Sequence, residues 1–239
     1  MEILIKQSLI LLRKLLSILG VGIKATAMAG GAEFYKPYAA SHVNSLYNLL
    51  FCDDLSLFHK ESKAKDVSPW ATLFTENPDY AALEGIAQNQ DEESRVRVLA
   101  YNRLRAAGRP VPAKKLLGVI VEVALPQGLD VLAAYPDGRA RYLNQSGKVA
   151  IFEGGPPEVV ALAKELVTTS QALVNKIGPW EKNRLPPPRT GNVRLTFLAS
   201  DGLYFGEGPF QVLQKDPLGG PVLSKTIQLL QIAVKAGLK

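Results

Sequence analysis

The stretch from Asn192 to Lys235 constrains the fold more than any other part of the chain. Val193, Leu195, Phe197 and Ala199 alternate with Arg194, Thr196 and Leu198. That period of two describes a strand with one face in a core. Ser200-Asp201-Gly202 follows, and Asp201-Gly202 is the kind of pair that supplies the positive backbone dihedrals of a tight hairpin. Leu203 to Gly206 is then the return strand. A bend or bulge is expected at Gly206 and Gly208, where no side chain can pack. Phe210, Val212 and Leu213 are expected to open a third strand. After Pro217-Leu218-Gly219-Gly220-Pro221, the segment Val222 to Val234 sets Ile227, Leu230, Ile232 and Val234 among Ser224, Lys225, Gln228 and Gln231. This is a helix with one apolar face.

An earlier segment has the same grammar. Tyr142-Leu143 leads to a turn at Ser146-Gly147, a strand from Val149 to Phe152, Gly154-Gly155-Pro156, and a helix from about Glu158 to Ile177. Two hairpins with Gly-Gly-Pro helix entries suggest one ββα unit used twice, although shared turn chemistry alone produces such a match. Upstream of it, Leu117 to Leu125 and Leu129 to Tyr135 are β-rich runs, separated by Pro126-Gln127-Gly128. Pro136-Asp137-Gly138 turns the chain again into Arg139 to Asn144. Four strands joined by short turns imply an antiparallel meander.

The part before residue 111 reads as helical. Tyr38 to Lys60 carries Val43, Leu46, Leu50 and Phe51 on one side, and Trp70 to Phe74 is a short helical turn. Asn77 is expected to cap a helix that has Pro78 in its first position. A further helix, Glu92 to Ala107, opens on Asp91-Glu92-Glu93 and closes near Arg103 and Arg105. That order complements the helix dipole and needs no functional explanation. Val96, Leu99, Ala100 and Leu104 form its buried stripe.

Ile3 to Ile23 is rich in Leu and Ile but contains Lys6, Gln7, Arg13, Lys14 and Ser17. Together with Glu2 and Lys24, these polar groups fall within an arc of roughly 140° on a helix. Four readings stay open. A membrane span would place Arg13 and Lys14 near mid-bilayer, at about 2.5–3.5 kcal/mol each. A signal peptide with Ala27-Met28-Ala29 as its cleavage site has Lys24 intruding. The others are a helix lying in a membrane interface, its cations facing anionic headgroups, and a helix docked on a protein core.

The chain is long enough for one large domain or two small ones. Its single cysteine excludes an internal disulfide framework. The net charge of +6 is concentrated before residue 66 and after residue 178, which argues for local electrostatic roles. No phosphate-binding loop, dinucleotide fingerprint or G-x-S-x-G elbow is present. His42, Cys52 and His59 lie together in sequence, and on an unbroken helix Cys52 and His59 would share a face. They lack further ligands at metal spacing. Glu153 and Glu207 stand in similar places after the two hairpins, where they would suit an acid/base pair if they faced one another. Lys182, Arg184, Arg189 and Arg194 form a basic cluster around Pro186-Pro187-Pro188. It lacks the interleaved aromatics of single-strand binders, which argues against nucleic acid. The proline link itself reads as a rigid connector.

These observations imply an α+β protein in three parts. Residues 1–30 form a basic amphipathic helix and hinge, 31–110 a helical region, and 111–239 an antiparallel sheet, meander plus hairpin, with packed helices. The strand order is similar in topology to profilin-like modules such as roadblock and longin domains, an analogy that no residue motif carries. The leading functional expectation is a non-catalytic interaction or regulatory protein in the cytoplasm, with no cofactor and no metal. Its partner would be another protein or a second copy. Lys6, Arg13, Lys14 and Lys24 would hold it at an anionic membrane surface. One alternative is a sensor domain binding a small molecule between sheet and helices. Another is an enzyme using Glu153, Asp201 or Glu207. Export with a cleaved N-terminal signal is the alternative location.

Overall fold

The computed structural model describes residues 34–59 and 67–237. The helical part comprises α1 (Ser41–Leu49), a 3-10 turn (Leu55–His59), α2 (Trp70–Phe74), α3 (Tyr80–Gln88) and α4 (Ser94–Ala106). Then come β1 (Leu116–Leu125), β2 (Gly128–Ala134), β3 (Ala140–Leu143), β4 (Val149–Phe152) and α5 (Pro157–Val174). The chain ends with β5 (Asn192–Ala199), β6 (Gly202–Pro209), α6 (Phe210–Lys215) and α7 (Gly219–Gly237). All six strands join one antiparallel sheet in the order β4-β3-β2-β1-β5-β6. The expected α+β class, with helices preceding an antiparallel sheet, is what forms.

β1 is the hinge of the topology. It pairs with β2 from Val119–Ala134 to Leu125–Gly128, and with β5 from Leu116–Ala199 to Val123–Val193. The C-terminal hairpin therefore extends the meander on its open side. β1 is almost wholly apolar, LLGVIVEVAL, as a strand must be when both its faces are covered. On one face Leu117, Ile120 and Ala124 pack with Val131, Ala133 and Leu198 under Tyr47, Leu50, Val96 and Leu99 of the N-terminal helices. On the other, Val119, Val121, Val193, Leu195 and Phe197 meet Val159, Ala163 and Leu166 of α5 and Val222 and Leu229 of α7.

Several local expectations are corrected. β5 is buried on both faces, Arg194 and Thr196 included, because helices cover the sheet on each side. β6 continues in regular register through Gly206 and Gly208 to Pro209, so the glycines make no bulge. Phe210 starts a helix instead of a strand, because β5 begins only at Asn192, opposite Pro209, and offers no further ladder. At the hairpin only Gly202 has a positive φ, at 150°. The helix expected from Tyr38 to Lys60 runs only from Ser41 to Leu49, and Cys52 beyond it has φ 52°. The cap of α3 is Asp79, whose carboxylate accepts from the Ala81 N–H at 2.9 Å, in place of Asn77.

Leu166 is fully buried where α5 meets the sheet. Leu166→Ala is expected to cost about 2–5 kcal/mol, read as a lower urea midpoint at unchanged slope. Val212→Ala, on exposed α6, should stay within about 0.5 kcal/mol of the parent.

Candidate functional site

Glu153 and Glu207 do not face one another. Glu153 follows β4 and Glu207 lies on β6, the two opposite edges of the sheet. Each is held by arginine. Glu153 accepts from Arg139 Nε at 2.8 Å and from Arg141 Nη2 at 2.7 Å. Glu207 accepts from Arg194 Nε at 2.9 Å and Nη2 at 2.6 Å, and from Asn192 Nδ2 at 3.0 Å. Burial works to raise both pKa values. The arginines, with Asn192 in the case of Glu207, outweigh it and hold both carboxyls below their ordinary range. Asp201 accepts from the Tyr204 hydroxyl at 2.8 Å.

The second of these pairs belongs to a row that crosses three strands. Glu122 on β1 is the register partner of Arg194 on β5, which is the register partner of Glu207 on β6. Glu122 is 1% exposed and accepts from the Tyr47 hydroxyl of α1 at 2.7 Å. Desolvation pushes its carboxyl pKa upward, opposed by the Tyr47 hydrogen bond and by Arg194 and Arg184. Arg194 Nη1 also donates to the Pro186 carbonyl at 2.6 Å, tying the proline link to the sheet.

Arg184 anchors the same link from the other side. Its guanidinium lies 3.9 Å from the Phe51 ring centroid, near Tyr35 and Tyr47 as well. It donates to Asp53 at 2.7 Å and to Asn48 Oδ1 at 2.8 Å. Two of the four residues in the basic cluster thus serve as internal clamps on the connector, and cannot present a cationic surface.

Cys52 and His59 are not set on a common helix. Cys52 is fully buried, and desolvation pushes its thiol up to about 12, far from a reactive thiolate. His59 stacks on Phe74 with ring centroids 4.1 Å apart, and His42 is exposed. Among the described residues no group of three or more His, Cys, Asp or Glu is placed to hold a metal ion. The two Gly-Gly-Pro helix entries also differ. At α7 the Leu218 and Gly219 amides donate to Asp216 at 2.9 and 2.7 Å, so the chain's own carboxylate fills that position. The cations Lys6, Arg13, Lys14 and Lys24 lie outside the described residues. No described helix is long and apolar enough to cross a membrane.

A different set of side chains lines a cleft of about 230 Å3 between sheet and helices. Arg97 of α4, Lys115 and the first residues of β1, Gln90 before α4, and Pro136-Asp137 of the β2–β3 turn form its walls. Arg97 is 5% exposed, and its Nε donates to the Ala87 carbonyl at 3.2 Å. Lys115 has a lowered pKa, first from desolvation and then from Arg97. Asp137 is engaged elsewhere. Its Oδ2 accepts from the Ser94 amide at 2.8 Å, capping α4 from a distant turn, and from Arg139 Nη1 at 3.0 Å, while its Oδ1 accepts from the Arg139 amide at 3.0 Å. Sequence reasoning passed over both cations. The signal for Arg97 was present, since Ala100 and Leu104, three and seven residues on, put it on the core face of α4. Lys115 carries no such signal.

Compared with protein-family models, with curated proteins and with solved structures, the chain matches none.

Among the described residues, Glu207→Gln leaves Arg194, whose side chain is 7% exposed, with only Glu122 at 3.8 Å as a charged partner. The expected loss is about 2–3 kcal/mol at pH 7, less than for a fully buried pair because Glu207 remains 22% exposed. A depressed carboxyl pKa stabilises above the unfolded-state value, and the benefit disappears as pH falls through the folded-state value. The difference between parent and variant, measured by urea unfolding, should therefore shrink below about pH 4.

Proposed function

We propose that this chain is a non-catalytic interaction or regulatory protein, peripheral to an anionic membrane surface through the helix expected over residues 3 to 23. One observation carries the non-catalytic part. Glu153 and Glu207, two of the three carboxylates that the sequence offers for acid/base work, are committed to arginine pairs, on opposite sheet edges, with pKa values held low. A general acid at neutral pH needs the opposite shift. The remaining support comes from the cation arc of Lys6, Arg13, Lys14 and Lys24 beside a wide apolar face. A protein partner or a second copy, met at a cytoplasmic membrane face, fits this reading. The cleft at Arg97 and Lys115 favours a second reading, a sensor domain that binds a small molecule between sheet and helices.

The membrane reading is tested by flotation of the full chain on anionic liposomes, beside a variant with Lys6, Arg13, Lys14 and Lys24 all replaced by Glu. The parent should float at low salt and less so at high salt. The variant should stay in the dense fraction, since each cation contributes about 1 kcal/mol near such a surface. Equal flotation of the two, or none by the parent, sinks the proposal.

A further inference from the structure

We infer that the cleft between α4 and the start of β1 is a binding site for a phosphate-sized oxyanion, held by Arg97 and Lys115. The inference rests on the sensor reading and names the chemistry of its ligand. Two observations carry it. Arg97 is buried, yet no described carboxylate lies within ion-pair distance of it, although a buried guanidinium is costly unless paired. Lys115 likewise has no acidic partner among the described residues, and it sits close enough to Arg97 to feel its charge. Two like charges drawn together on the wall of one cleft repel, and an anion between them converts that cost into attraction.

A guanidinium and an ammonium on the wall of one cleft form a donor set for tetrahedral oxyanions. Asp137, the acidic residue of the wall, makes no ion pair with Arg97 or Lys115; its oxygens accept from Ser94 and from Arg139, its ion-pair partner. The size of the cleft points the same way. At about 230 Å3 it falls below the roughly 300–1,000 Å3 of pockets for drug-sized ligands. It suits a free phosphate or the phosphoryl end of a small ester.

The test is calorimetric titration of the full chain with inorganic phosphate and, separately, with glycerol 3-phosphate. Parallel thermal melts are needed because phosphate also stabilises proteins by exclusion from their surfaces. Saturable binding is expected, weakened about tenfold or more in Arg97→Gln and in Lys115→Gln, the loss of one charge-assisted contact each. Lys115 is only half-buried, so its variant keeps the test valid if Arg97→Gln fails to fold. Tighter binding of glycerol 3-phosphate assigns a phosphoryl ester as ligand, and equal or weaker binding assigns the free ion. No saturable heat, or equal affinity and equal melting shift in the parent and the Lys115 variant, overturns the inference. Saturable binding of an uncharged small molecule in the same melts, without phosphate binding, would keep the sensor reading while removing the oxyanion.

Discussion

The pairing of β1 with β2 on one edge and β5 on the other holds the two halves of this protein together. A strand bonded on both edges and covered on both faces must be apolar throughout, and β1 meets that demand except at Glu122. The N-terminal helices can pack only because β1 and β2 offer them Leu117, Ile120, Val131 and Ala133. α5 and α7 depend equally on Val119, Val121 and the inward residues of β5. The cleft at Arg97 is a consequence too, since it opens where α4 crosses the beginning of that strand.

The one polar position in β1 shows how this sheet handles buried charge. Glu122, Arg194 and Glu207 stand in register on three adjacent strands, so their spacing follows from sheet geometry and needs no loop to adjust it. Removing such groups from water is expensive, and hydrogen bonds from Tyr47 and Asn192 offset part of that cost. The same arginine binds the Pro186 carbonyl, while Arg184 is caged by Phe51, Tyr47 and Tyr35. Charge here positions the connector between α5 and β5 against α1. Arg97 donates to the Ala87 carbonyl, but neither it nor Lys115 has a carboxylate partner among the described residues, which separates them from the structural cations.

Much of the fold was legible in the residues. The meander was readable from Pro126-Gln127-Gly128 and Pro136-Asp137-Gly138, and the C-terminal hairpin from Ser200-Asp201-Gly202, because turn chemistry acts over a few residues. The helices α5 and α7 were readable from apolar periodicity. The candidate site was far less legible. Glu153 and Glu207 looked equivalent in sequence, yet the insertion of β5 beside β1 sends them to opposite edges. Arg97 lies one position from the Val96 stripe, and its lack of a carboxylate partner among the described residues depends on which acids the fold brings near it; Asp137, on the same cleft wall, pairs with Arg139.

The sequence by itself determined most element types, the Phe210–Lys215 helix excepted, the antiparallel character of the sheet and the order of helices before strands. These follow from backbone preferences and side-chain periods within short windows. Only the tertiary structure decided that β5 joins β1, that both faces of β5 are buried, and which charged side chains are paired and which are left to line a cleft. Those outcomes depend on contacts between residues far apart in the chain, and the free energy of a buried charge is set by its neighbours in space.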